Sequence, residues 1–171
     1  MEEVALCTLG ALGVLGALAT EIADFVTFKP SQRRAVLAAT KPQPLVVPPP
    51  SGSWLRHGRH FRCHQFGARE DLSVFCAQMI DCVLEATFKF RTLRVRCVER
   101  FEGEANGRLE YQVPRGTSAL VVLPLSRHTV QIDSLRTDDK TCLVVVWPCN
   151  LEIEGTDFMV VALQDFKAWD P

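Results

Sequence analysis

The chain has 171 residues, 47% of them apolar and 23% charged, with a formal net charge of −1. That length suits one domain with appendages, and the apolar share is ample for a packed core, which argues against disorder as the main state. A sequence pI near 6.4 lies below what a nucleic-acid-binding domain carries.

The near-neutral total conceals blocks. Residues 1–28 contain Glu2, Glu3, Glu21 and Asp24 with no Lys or Arg, and residues 29–53 contain Lys29, Arg33, Arg34 and Lys41 with no acid. The middle of the chain, residues 54–100, is basic, and residues 133–171 are acidic. Such blocks suggest separate faces for separate partners, or mutual neutralisation within the fold. The seven cysteines are odd in number, without framework spacing and without a C-x-x-C pair. This argues against a secreted disulfide scaffold and points to an intracellular, reducing compartment, cytoplasmic or nuclear.

Residues 4–20 (VALCTLGALGVLGALAT) carry no charge over 17 positions, the lower limit for a membrane-spanning helix. Glu2 and Glu3 stand where a signal peptide would be basic. As a membrane anchor, the segment would leave the rest of the chain on the cytosolic side, because Lys29, Arg33, Arg34 and Lys41 follow it. The preferred reading is a helix whose Leu6, Leu9, Leu12 and Leu15 pack on the core or on a partner, since Glu21 and Asp24 interrupt the run before Phe25 and Phe28. Gly10, Gly13 and Gly16 cost such a helix about 1 kcal/mol each relative to Ala, so it needs tertiary contacts to persist. Ser31 can cap a short helix running to Ala39. The expected organisation is an N-terminal helical segment at 1–41, a Pro-rich linker at 42–53 read as an extended spacer, and an α+β domain at 54–171.

Residues 56–64 (RHGRHFRCH) are the most chemically loaded segment. His57, His60, Cys63 and His64 are zinc-type ligands in kind but not in spacing. On a strand His60 and His64 share a face roughly 13 Å apart while Cys63 points the other way. Arg56, Arg59 and Arg62 add positive charge that disfavours a cation, so neither a metal nor another cofactor is expected.

Residues 70–86 form the clearest helix, with Leu72, Phe75, Cys76, Met79, Ile80, Val83 and Leu84 on one face and Glu70 and Asp71 in the first turn. From Phe88 the period becomes two: Phe88 and Phe90 alternate with Lys89 and Arg91, a bulge is expected near Thr92, and Arg94 and Arg96 face outward. Asn106-Gly107 marks a hairpin turn with an antiparallel return over 109–113. The runs ALVVLPL, CLVVVW and FMVVAL read as strands buried on both faces. The sum is an α+β fold, a mostly antiparallel meander sheet of five to seven strands on one main helix.

No nucleophile, zinc-protease or phosphate-loop signature is present, and Ser126, His128 and Asp133 are merely close in sequence, so no enzyme and no small-molecule substrate is expected. Arg56, Arg59, Arg62, Lys89, Arg91, Arg94, Arg96 and Arg100 instead suggest a cationic face able to grip phosphates or carboxylates. The function expected is a non-enzymatic protein-interaction module or complex subunit, binding a protein partner or a second copy through the apolar helix and this face. A membrane-associated protein that binds anionic lipid, or a nucleic-acid binder, is the alternative.

Overall fold

The computed structural model describes residues 35–40, 46–67, 72–125, 127–138 and 140–166. The expected N-terminal apolar helix, with Leu6, Leu9, Leu12 and Leu15, and the first part of the Pro-rich linker lie outside the described residues.

Three continuous apolar runs form the centre. They are β6 (Ala119–Pro124), β9 (Thr141–Val146) and β11 (Asp157–Asp165), and they are apolar on both faces because both faces are covered. Val121, Leu123, Val144, Val146, Met159, Val161 and Leu163 meet α1 (Ser73–Thr87). Their neighbours Leu120, Val122, Leu143, Val145, Val160 and Ala162 meet a second sheet. Each such side chain taken fully out of water contributes about 1.5–3 kcal/mol.

Around this centre the large sheet has seven strands in the order β1-β9-β6-β11-β4-β3-β2. The added members are β1 (Ala35–Thr40), β2 (Leu55–His57), β3 (Phe61–Gln65) and β4 (Leu93–Gly103). The second sheet has four strands, ordered β5-β10-β7-β8, built from β5 (Arg108–Tyr111), β7 (Val130–Ile132), β8 (Leu135–Thr137) and β10 (Leu151–Gly155). Every pairing is antiparallel. The α+β class and the antiparallel sheet with one helix are as expected. The strands differ in number and arrangement: two sheets replace one, and only β2-β3 and β7-β8 are hairpin neighbours, while β3 and β4 pair through the connection that carries α1.

Four local expectations are corrected. Residues 35–39, read as the end of a capped helix, are strand β1 instead, paired along its length with β9. An all-apolar β9 would otherwise offer an open edge, and pairing there outweighs the helix propensity of Ala. Residue 47, placed in the spacer, is packed: Val47 joins the helix-side core, while the Val46 N–H donates to Gln78 Oε1 at 3.2 Å with its side chain exposed. The turn at Asn106, where φ is 63°, is present, but it hands the chain to the second sheet, where β5 pairs with β10 rather than returning along β4. Gly103 lies at this crossing, and a Cβ there would run into the Phe61 ring.

The fourth correction concerns the bulge. It lies at Arg96, where the β4–β11 register passes from Cys97↔Ala162 to Val95↔Leu163. A one-residue slip exchanges faces. Leu93 and Val95 therefore face α1 on one side of it, and Val98 faces α1 on the other.

The helix begins at Ser73, with Leu72 at the N-cap and no side-chain cap; Glu70 and Asp71 lie outside the described residues. Phe75, Met79, Cys82 and Val83 form its buried face at the expected spacing. It ends on Phe88, whose left-handed backbone lets its N–H reach the Leu84 carbonyl at 3.4 Å.

Candidate functional site

The bulge divides the arginine row. Arg100 shares the helix-side face with Val98 and Met159. There its Nε and Nη2 donate to the two Asp157 carboxylate oxygens at 3.0 and 2.8 Å, and Nη2 lies 3.1 Å from Glu102. Arg62 donates to Glu102, and the guanidinium groups of Arg62 and Arg100 lie 4.8 and 5.6 Å from the Trp54 ring centroid. These two arginines bind Trp54 and the β3–β4–β11 corner together. Arg94 faces the opposite side of the sheet, opposite Gln164 in the register. Arg94 and Arg96 donate to the Gln164 amide oxygen, at 2.9 Å from Arg94 Nη2 and 3.4 Å from Arg96 Nη1. The Gln164 amide is neutral, so these bonds do not themselves cancel their charge. Arg56 donates to the Gly58 carbonyl at 3.3 Å, and Arg59 is exposed in the following turn. The eight basic residues of the expected face thus do not share one surface.

The histidine cluster is likewise dispersed. His64 is buried on the helix side, with ring centroids 5.7 Å from Trp54 and 4.8 Å from Phe66. Cys63 points to the other core, where His57 meets Phe101 edge-on at 5.3 Å. His60 Nδ1 lies 3.3 Å from Glu104. Among the described residues no group of three or more His, Cys, Asp or Glu is placed to hold a metal ion.

A buried polar network lies between the sheets. The Tyr111 hydroxyl donates to Glu99 at 2.8 Å and the Gln65 amide donates to the other carboxylate oxygen at 2.7 Å. Burial, then the Glu99 charge, pushes the Tyr111 hydroxyl well above its usual range and the Cys63 thiol up to about 12. Groups held this firmly neutral serve as packing and hydrogen-bond donors rather than nucleophiles. Of the three residues close in sequence, Ser126 lies outside the described residues, His128 meets the Thr156 hydroxyl at 2.8 Å, and Asp133 occupies a turn with φ 53°.

The most unusual surface is one end of the large sheet. The Trp147 N–H, just past β9, donates to the Ser118 carbonyl at 2.8 Å. The Ser118 hydroxyl accepts from the Asp165 N–H at 3.0 Å, and the Phe166 N–H donates to the Thr92 carbonyl at 3.2 Å. These bonds set the ends of β9 and β11 beside the starts of β6 and β4. The helix terminus joins them, because Phe90 is buried with its ring 5.4 Å from Trp147. Phe88, Phe166 and Trp147 are 69%, 67% and 43% exposed here. Phe88 and Trp147 are held at φ 51° and 52°, a region that bulky residues rarely occupy.

Lys89, Arg91, Arg94 and Arg115 are exposed at the same end, with the Arg94 guanidinium 5.4 Å from the Phe166 centroid. Among the described residues, Glu85 on α1 is exposed and Asp165 at the end of β11 is half-buried. An open cleft of about 500 Å³ adjoins them, lined by residues 113–117 and 148–150, including Arg115, Thr117 and Cys149.

Sequence reasoning singled out Lys89, Arg91 and Arg94 but neither Arg115 nor the aromatics. Phe88 reads as an inward strand position and is in fact an exposed helix cap, while Trp147 ends a run that reads as wholly buried. Their signal was positional: a ring at the last residue of an element, beside Lys or Pro. Among the described residues no helix is long and apolar enough to cross a membrane. Compared with known proteins, the chain matches no family model, no curated protein and no solved structure.

Proposed function

We propose that the chain is a non-enzymatic docking module that holds an anionic partner against the aromatic and cationic end of its large sheet. The observation carrying this reading is the gathering of exposed Phe88, Trp147 and Phe166 with Lys89, Arg91, Arg94 and Arg115 at that end. A large ring left in water forfeits about 1.5–3 kcal/mol of burial free energy. Two of these rings also sit on strained backbone, a cost that concentrates at sites of function. A partner that covers the rings recovers the burial term, while the guanidinium groups orient it and speed its capture.

This end replaces the continuous basic sheet face, because the bulge at Arg96 turns Arg100 away and ion pairs engage Arg62. The N-terminal segment with Leu6, Leu9, Leu12 and Leu15 remains a second source of apolar contact in this reading.

The test is a photoreactive amino acid at position 88 in the full chain, expressed in cells. Adducts are expected there, lost when Arg91 and Arg115 are both changed to Glu. The same probe at Asn106, in the turn at the far end of β4, is expected to give none. Equal adduct yields at 88 and 106 would exclude this end as the docking surface.

A further inference from the structure

Resting on that reading, we infer that the anionic partner is the surface of a phospholipid bilayer. The shape of the docking end favours it. Phe88 caps a helix, Trp147 leaves β9 and Phe166 leaves β11, so the rings project from separate elements rather than lining one groove. A rigid protein partner must supply a matching pocket for each projecting ring. A bilayer interface yields to all of them, since Trp settles at the headgroup level and Phe can be buried at the headgroup–acyl boundary.

Charge points the same way. Lys89 and Arg91 are exposed on either side of Phe90 in the chain, the Arg94 guanidinium lies over the Phe166 ring, and the open cleft lined by Arg115 can receive a headgroup phosphate. Each such cation near an anionic leaflet strengthens attachment about fivefold.

The place where the chain enters the fold adds a further signal. β1 begins at Ala35, paired with Val146, the residue before Trp147. The described fold therefore begins at this end, and the sequence before it contains the uncharged stretch 4–20 followed by Lys29, Arg33 and Arg34. Stable attachment to a bilayer requires two signals, typically an apolar element plus a basic patch. In this proposal the sequence before Ala35 supplies the first signal and the docking end supplies the second.

Flotation of the purified full chain with vesicles tests the inference, comparing phosphatidylcholine alone with phosphatidylcholine containing phosphatidylserine. The chain is expected to float with the phosphatidylserine vesicles and to lose binding as salt rises. Arg91→Glu with Arg115→Glu should weaken it at least tenfold. Phe88→Asn with Phe166→Ser should weaken it comparably, and these two replace exposed rings, with Asn suited to the left-handed backbone at 88, so folding is spared.

No flotation with phosphatidylserine vesicles overturns the inference, and so does flotation that all four substitutions leave unchanged. Capture of glycerophosphoserine without vesicles, or of a single-stranded oligonucleotide in preference to them, overturns it equally. If vesicles fail while the probe at 88 still yields charge-dependent protein adducts, the docking reading stands and only the lipid assignment falls. If both fail, both fall.

Discussion

Phe88 offers a way to separate the strain of the docking end from its apolar surface. The left-handed conformation at φ 51° costs a residue bearing a Cβ about 1–2 kcal/mol and costs glycine almost nothing. The greater freedom of glycine in the unfolded chain returns some of that difference, leaving Phe88→Gly about 1 kcal/mol more stable than Phe88→Ala. The ring itself is 69% exposed, so roughly a third of a surface of about 200 Å² is buried, worth at most about 1.5 kcal/mol. Phe88→Ala loses that contact and keeps the strain, whereas Phe88→Gly loses the contact and the strain together. The expected order is therefore wild type close to Phe88→Gly, with Phe88→Ala below both. For a chain of this size the two variants should differ by about 2–4 °C in Tm, measured by circular dichroism and checked by urea midpoints. Both should lose the same amount of vesicle binding, because both lose the ring. An alanine variant as stable as the glycine variant would refute the left-handed cap, and unequal binding losses would refute the claim that the ring is what docks.

Three further outcomes are expected. Gly103→Ala should lower stability by about 1–3 kcal/mol, since the new methyl meets the Phe61 ring where the chain crosses between sheets; unaltered urea unfolding would contradict that approach. Stability should fall as pH rises above about 8.5, where unfolded thiols begin to ionise. Cys63 is held up to about 12 when folded, and Cys82 and Tyr111 are pushed above their ordinary values, so the folded state resists losing these protons and the stabilisation drains away through the alkaline range; a urea midpoint constant from pH 8 to 11 would exclude this. Arg100→Met should cost about 2–3 kcal/mol by leaving half-buried Asp157 without its guanidinium partner, Glu102 keeping Arg62, while Arg91→Met should change stability by less than about 0.5 kcal/mol; similar losses in the two variants would show that Arg100 is not the structural member of the row.

What could be read in the sequence was periodicity that stays inside one element. The helix face from Phe75 to Val83 and the doubly buried runs of β6, β9 and β11 announce themselves locally, because burial dictates residue type position by position. Features decided by a distant partner were silent. Residues 35–39 favour a helix until β9 offers an edge, and the order of seven strands depends on which apolar face meets which. Phe88-Lys89-Phe90-Arg91 alternates identically whether it starts a strand or caps a helix, and only the packing of Phe90 on Trp147 decides. The docking cations were visible as composition, whereas the exposed rings were hidden because aromatic residues are read as core by default.

The bulge at Arg96 explains how one strand holds one arginine inside the fold and presents another at the aromatic end of the sheet. Arg94 and Arg100 have the same parity in sequence, so an unbroken β4 would place both on one face of the sheet. On the helix side, Arg94 would fall where Leu93 and Val95 now pack against the core, burying a guanidinium without the carboxylates that Arg100 finds in Asp157 and Glu102. On the other side, Arg100 would point into the apolar layer of Phe101, Phe158 and Val160. Burying an unpaired charge in either place costs several kcal/mol, far more than one irregular pairing. The slip lets the inner part of β4 pair its arginine inside the fold while the outer part turns Arg94 toward Phe166 and solvent. The exposure of Arg94 at this end of the sheet therefore follows from the register of β4 with β11.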